Sequence, residues 1–283
     1  MIRPNLTCKK FFLAVVLSFL VITSFAADRY SVATGNWNVN STWSATSGGL
    51  PGASFPIAGD NVFIEGGFTV TTAASTACAN ISIANGSILT IGGFDITVSG
   101  TTTVNGTINH TSTTGVKTFT GLVTINATGI WNNNTVNEQI NFRGGVSNSG
   151  TFNAGTDIYT FSTNNQALTG SLSIPRVTVT GVTLTNNGTL TVGTALGGTG
   201  GLTQAVNATL NLGGTSAITT LTATNSGNTV SFTGAAQTAK VTSYYNLTLS
   251  GTGAKTFSTT PTVNAILSME GTATVVVTTG VVT

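Results

Sequence analysis

Thr114-Gly-Val-Lys-Thr-Phe119 returns 138 positions later as Thr252-Gly-Ala-Lys-Thr-Phe257, and the reading of the fold starts from that return. A shorter copy, Thr180-Gly-Val-Thr-Leu-Thr185, lies between the two. A second pair has nearly the same offset: Phe161, Gln166 and Val177-Thr-Val-Thr-Gly181 match Phe232, Gln237 and Leu247-Thr-Leu-Ser-Gly251. The chain therefore repeats at about 70 residues, and self-similarity at a fixed period marks stacked-repeat architectures. Around these motifs lie short alternating runs such as Ile81-Ser-Ile83, Ile88-Leu-Thr-Ile91, Leu190-Thr-Val192 and Leu247-Thr-Leu249. They are bounded by pairs such as Asn85-Gly86, Asn105-Gly106 and Asn187-Gly188. Alternation with turn residues at its edges predicts strands, and no stretch after residue 26 has helical periodicity.

Dividing 70 residues into three coils of about 23 predicts an all-β, right-handed parallel β-solenoid of nine or ten coils. Stacked strands line identical positions into ladders, which suits a chain that is about one-fifth Thr and only 6% charged. The alternative is a row of small β-sandwich repeats joined by hairpins, for which the Asn-Gly pairs would serve well. The short strand runs and the absence of linkers favour the solenoid. The organisation expected is a signal peptide over residues 1–26, an N-terminal cap over 27–60 and solenoid repeats over 61–283. The cap carries Trp37 and Trp43 and the Gly/Pro-rich segment 48–59. Asp60 is expected to open the first coil with a side-chain bond to the backbone.

The first 26 residues give an address. Arg3, Lys9 and Lys10 precede the apolar run from Phe11 to Ile22, and Ser24-Phe25-Ala26 supplies small residues for a cut after Ala26. That is the pattern of a secretory signal peptide, so the protein is expected to be secreted or at the cell surface, with no transmembrane segment in the mature chain. Its removal leaves six basic and seven acidic residues, a balance that offers no basic surface to nucleic acid. Cys78 is then the single cysteine; no internal disulfide can form, and a buried, inert thiol is the expectation.

The order Asn36-Trp37-Asn38, Thr42-Trp43-Ser44, Pro56, Gly59-Asp60-Asn61-Val62-Phe63-Ile64 resembles the start of secreted, adhesin-like β-helical surface proteins of Bacteroidota, typically exported by the type IX route. Tyr245–Phe257 is similar to a repeat that such proteins carry many times. The resemblance implies a β-helical surface protein; a non-catalytic scaffold or adhesion role is expected, with a carbohydrate-binding module or a polysaccharide-active β-helix enzyme as the alternative, and the partner is unknown, surface glycans or other cell-surface proteins being the candidates. Proteins of that kind end in a dedicated sorting domain, and Val281-Val-Thr283 resembles none. With the uncapped, uncharged segment 273–283, this leads to the expectation that the chain is the N-terminal part of a longer protein.

No catalytic constellation can be read from the sequence, and no enzyme activity or cofactor is expected. The acids Asp28, Asp60, Glu65, Asp95, Glu138, Asp157 and Glu270 are scattered, whereas polysaccharide-cleaving solenoids need clustered carboxylates. His110 is the single histidine and is expected in a solvated turn; alone it supports neither a Ser-His-Asp triad nor a His-based metal site. The stretch Gly193–Gly201 has neither the Asp of a calcium-binding turn nor the Lys of a phosphate loop, and reads as a flexible turn or a poorly packed coil. Trp37 and Trp43 could stack sugar rings, although a plug over the first coil explains them more simply. The Thr-x-Thr pairs at 101/103, 118/120, 183/185 and 222/224 bring an ice-binding face to mind, but their uneven spacing favours ordinary Thr ladders.

Overall fold

The structure is a computed structural model that describes residues 26–134 and 136–279. The signal peptide and its cleavage region lie almost wholly outside the described residues, as do the last four positions. The described chain is a parallel β-solenoid of about 11 turns. Three faces line it, built from four sheets. The first face runs through Asn61–Ile64, Asn80–Ile83, Thr102–Val104, Val123–Ile125 and Val146–Asn148. The second runs from Thr69–Thr71 to Thr151–Asn153, and the third from Thr76–Cys78 to Thr215–Ser216. Among the described residues the only antiparallel pairing joins Asp28–Ser31 to Trp43–Ser44 in the first coil. This excludes the sandwich alternative.

The ladder explains the alternating sequence. Val62 pairs with Ile81, Ile81 with Thr102 and Thr102 with Val123. In each strand the odd or even set points inward: Val62 and Ile64, Ile81 and Ile83, Val123 and Ile125 are all buried. Each coil thus buries three short apolar stripes against the coils on either side. A methylene shielded this way contributes about 0.8 kcal/mol. The intervening residues, chiefly Thr, Ser and Asn, face outward at a strand spacing of about 4.8 Å.

The coils are shorter than expected. Val123 to Val146 spans 23 positions, but Leu172, Leu190, Leu210, Val230 and Leu247 succeed one another at 17 to 20. Shorter coils raise the count above the expected nine or ten. They also change the meaning of the repeat. Lys117 and Lys255 both sit on the third face, seven coils apart. The intermediate copy falls half-way along that interval, so Thr183 lands on the first face instead. The 70-residue offset repeats a local strand-and-corner motif, not a whole number of coils.

The coil shortens at the strand Gln166–Ser173. Its first half pairs with Thr183–Asn186 and its second half with Thr189–Val192, so one strand turns a corner that earlier coils make with a loop. Gly170 sits at that corner with φ +84, a left-handed conformation that side chains oppose. From there the branch through Thr189–Val192, Thr209–Leu212 and Thr229–Phe232 takes the place of the second face. The Gly193–Gly201 stretch lies within this region and is ordered: Ala195–Gly197 is a strand with Leu196 buried, and Gly213 and Gly214 pack against backbone where a Cβ would collide. The absence of side chains there allows close coil contact.

The cap also differs from expectation. Asp28–Ser31 already pairs in parallel with Asn61–Ile64, and Gly35–Asn36 with Thr69–Thr71, so the ladder begins at Asp28 and not after residue 60. Residues 37–57 are an excursion folded over that first coil. Trp37 and Trp43 meet edge to face, 5.5 Å between centroids. The Trp43 Nε1 donates to the Trp37 carbonyl at 2.7 Å and the Trp37 Nε1 to the Pro56 carbonyl at 3.1 Å. Both indole N–H groups are thereby satisfied in an apolar plug.

Candidate functional site

The residues singled out in the sequence are placed as follows. Trp37 and Trp43 are 1% and 0% exposed. A sugar ring stacks on an open ring face, and neither indole offers one. Asp60 is buried; its carboxylate accepts from the Ala27 and Ile57 amides, both at 3.1 Å, and so ties the excursion back to the first coil. Glu65 instead accepts from the Ser47 hydroxyl, so the two acids serve separate contacts. Cys78 lies in the core, where burial pushes its thiol up to about 12. Of the Thr-x-Thr pairs, Thr101/Thr103 and Thr183/Thr185 stand on the first face while Thr118 is buried on the third. Among the described residues no group of three or more His, Cys, Asp or Glu side chains could hold a metal ion, and no helix is long and apolar enough to cross a membrane.

His110 is not in a solvated turn. It ends the strand Thr107–His110, where alternation points Ile108 and His110 inward, and it is 1% exposed. Its ring lies 5.1 Å from that of Trp131, and neither ring nitrogen has a hydrogen-bond partner. Burial lowers its pKa to about 3, with the Lys117 charge adding in the same direction, so the imidazole is neutral. Lys117 and Glu138 form a buried ion pair at 3.5 Å between neighbouring coils. Burial pulls the lysine down and pushes the carboxyl up, each partly offset by the other. Asn133 completes the cluster, donating to the Glu138 carbonyl and to the Tyr159 hydroxyl. The aromatic rings of Phe119, Trp131, Phe142 and Tyr159 pack around it. With no opening to solvent, this cluster binds coils together and is poorly placed to meet a substrate.

The accessible chemistry is on the outside of the first face, near its N-terminal end. Two side-chain columns run there in register. In one, Asn61 donates to Asp28 at 2.9 Å, Asn80 donates to Asn61 at 2.9 Å, and the amide and hydroxyl of Thr101 donate to Asn80 at 2.7 and 3.0 Å. In the other, Tyr30, Phe63, Ser82 and Thr103 succeed one another. Tyr30 and Phe63 stack face to face, with centroids 4.7 Å apart and planes 11° apart. The ladder then steps down from a phenyl ring to the small Ser82. A shallow groove of about 340 Å³ opens at that step, lined by Asn61, Phe63, Asn80, Ser82, Thr101 and Thr103. No lining side chain is ionisable. Sequence reading passed over Phe63 because it sits in the apolar run Val62-Phe63-Ile64; strict alternation would have placed it outside.

No family model matches this chain, and neither a curated protein nor a solved structure matches it.

Proposed function

We propose that this protein is an exported, non-catalytic scaffold or adhesion rod of the cell surface or extracellular space. The observation that supports this most is the outward flank: neutral hydroxyl and amide side chains recur coil after coil in fixed columns, as at Asn61, Asn80 and Thr101. Such a flank offers many weak, equivalent contacts along a stiff axis, which suits attachment by multivalency. The leader-like N-terminus supports export, and the resemblance to adhesin-like surface proteins of Bacteroidota supports the same reading. Three groups with shifted protonation, His110, Lys117 and Glu138, are sealed in the core, which favours a structural role for them over catalysis.

Protease shaving of intact cells that express the full chain with its leader tests the address. Fragments of the rod are expected in the shaved fraction, and exclusive recovery from the cytosol would overturn the exported reading. Incubation of the purified chain with pectin and alginate is expected to leave both polymers intact; new reducing ends or unsaturated products would overturn the non-catalytic reading.

A further inference from the structure

We propose that the groove beside Phe63 is a subsite for one pyranose ring of a neutral polysaccharide, a ligand assignment that rests on the adhesion reading above. Three observations converge on it. The first is an open aromatic face. One side of the Phe63 ring is covered by Tyr30, and on the other side the ladder continues with Ser82, whose side chain is too short to reach across the ring. The ring therefore presents a flat, apolar, electron-rich surface to the groove. The axial C–H groups of a pyranose are the complement of such a surface, in the same way that cations and ring edges are.

The second is a fence of fixed polar groups lining the same groove. The Asn61 and Asn80 amides are held in plane by their column of hydrogen bonds, each with one N–H spent and one left over. Asn80 Oδ1 already accepts two bonds from Thr101. The hydroxyls of Ser82 and Thr103 have no partner among the described residues. The groove thus holds spare donors from the amides and two hydroxyls that donate or accept, already oriented before any ligand arrives. Preorganised neutral groups of this kind recognise a polyol with little entropic loss.

The third is charge. No ionisable side chain lines the groove. The nearest carboxylate of the column, Asp28, is engaged by Asn61 and by the Tyr30 hydroxyl. A uronic-acid polymer or sulfated glycan would meet no cation here, so the site selects neutral sugars. Because the parallel columns continue along the flank, a polysaccharide lying along the axis would set one ring on Phe63 and further rings over the Ser and Thr steps.

The test is titration of the purified mature chain with neutral hexasaccharides of β-glucose, β-xylose, β-mannose and β-galactose, with polygalacturonate as the anionic comparison. Ring protons of Phe63 are followed by NMR. At least one neutral hexasaccharide is expected to shift those resonances and to bind with a Kd on the order of 0.1–1 mM. Phe63→Ala is expected to weaken that binding at least tenfold. Ser82→Phe, which extends the aromatic ladder into the groove while keeping Phe63, is expected to abolish it. Thr178→Ala, on the third face, is expected to leave it unchanged. Circular dichroism of each variant establishes that the ladder is intact. The proposal is overturned if no neutral hexasaccharide binds, if polygalacturonate binds in preference, or if Ser82→Phe binds as well as the parent. A shaved-cell fraction that contains the rod together with an inert groove would sink the subsite alone; a binding groove on a cytosolic protein would sink the exported reading alone.

Discussion

Replacing His110 with Leu tests whether the interior is as dry as the packing indicates. In the folded chain the imidazole is 1% exposed and titrates near 3; in the unfolded chain it titrates near 6.5. The folded pKa is depressed, so well above pH 6.5 neither state holds the proton and protonation contributes nothing to stability. As the pH falls below 6.5 the unfolded chain takes up a proton that the folded chain refuses, and stability declines until the pH nears 3. Between pH 6 and pH 4 this linkage amounts to about 2.5 kcal/mol. Glu138 contributes with the opposite sign, because burial raises its pKa, but it is common to both proteins and cancels in the comparison. Urea unfolding at pH 7.5, 6, 5 and 4 is the assay, followed by the fluorescence of Trp131, which lies against His110. At pH 7.5, His110→Leu is expected to match or exceed the parent, since two unpartnered nitrogens are removed. Between pH 6 and pH 4 the parent is expected to lose about 2.5 kcal/mol more than the variant. Parallel pH profiles for the two proteins would refute the buried, neutral imidazole.

Trp43→Ala, which empties the plug over the first coil, is expected to cost about 3–5 kcal/mol in urea unfolding; a loss below about 1 kcal/mol would mean that the indole is not part of the core. Lys255 donates from inside the solenoid to the carbonyls of Gly234, Ala235 and Thr252. Lys255→Met leaves those carbonyls unpaired and is expected to destabilise the chain by about 1–3 kcal/mol, read as a lowered urea midpoint, whereas an unchanged midpoint would show the ammonium to be dispensable. Gly170→Ala and Gly181→Ala both place a side chain at positive φ, but only the first brings its Cβ to 1.9 Å from a backbone oxygen, that of Asn148. Gly170→Ala is therefore expected to lower the thermal midpoint clearly more than Gly181→Ala, and equal shifts would contradict the corner geometry.

Much of the fold was legible because alternation is a local signal. Ile81-Ser-Ile83 and Leu190-Thr-Val192 declare strands with one buried side, and recurring motifs declare stacking. Coil length was less legible, because a repeated corner motif such as Phe161 to Gln166 can return on a different face of the solenoid. Its real constraint is local: Gln166 caps backbone carbonyls of Phe142 and Ser162, and Gln237 does the same for Leu212 and Gly214. The polar interior was hidden for a physical reason. A lone His, a Lys and a Glu read as surface residues unless the stacking register is known, and only the register brings Lys117 beside Glu138. The outer groove was missed for the converse reason, since an aromatic in an apolar run reads as core. Phe63 faces outward because its neighbours Val62 and Ile64 take the inward positions.

The central claim is the parallel register, in which residues about 20 positions apart are direct neighbours. Paired cysteines measure it. Thr124 faces Ser147 across one ladder step, and Ser147 faces Thr169 across the next. Parallel neighbours lie about 4.8 Å apart, within the span of a disulfide, and two steps lie beyond it. Thr124→Cys with Ser147→Cys is expected to close an intramolecular disulfide on mild oxidation, visible as a mass loss of two hydrogens, while Thr124→Cys with Thr169→Cys is expected to stay reduced. Closure of the second pair with failure of the first would contradict the solenoid register on which every site described above depends.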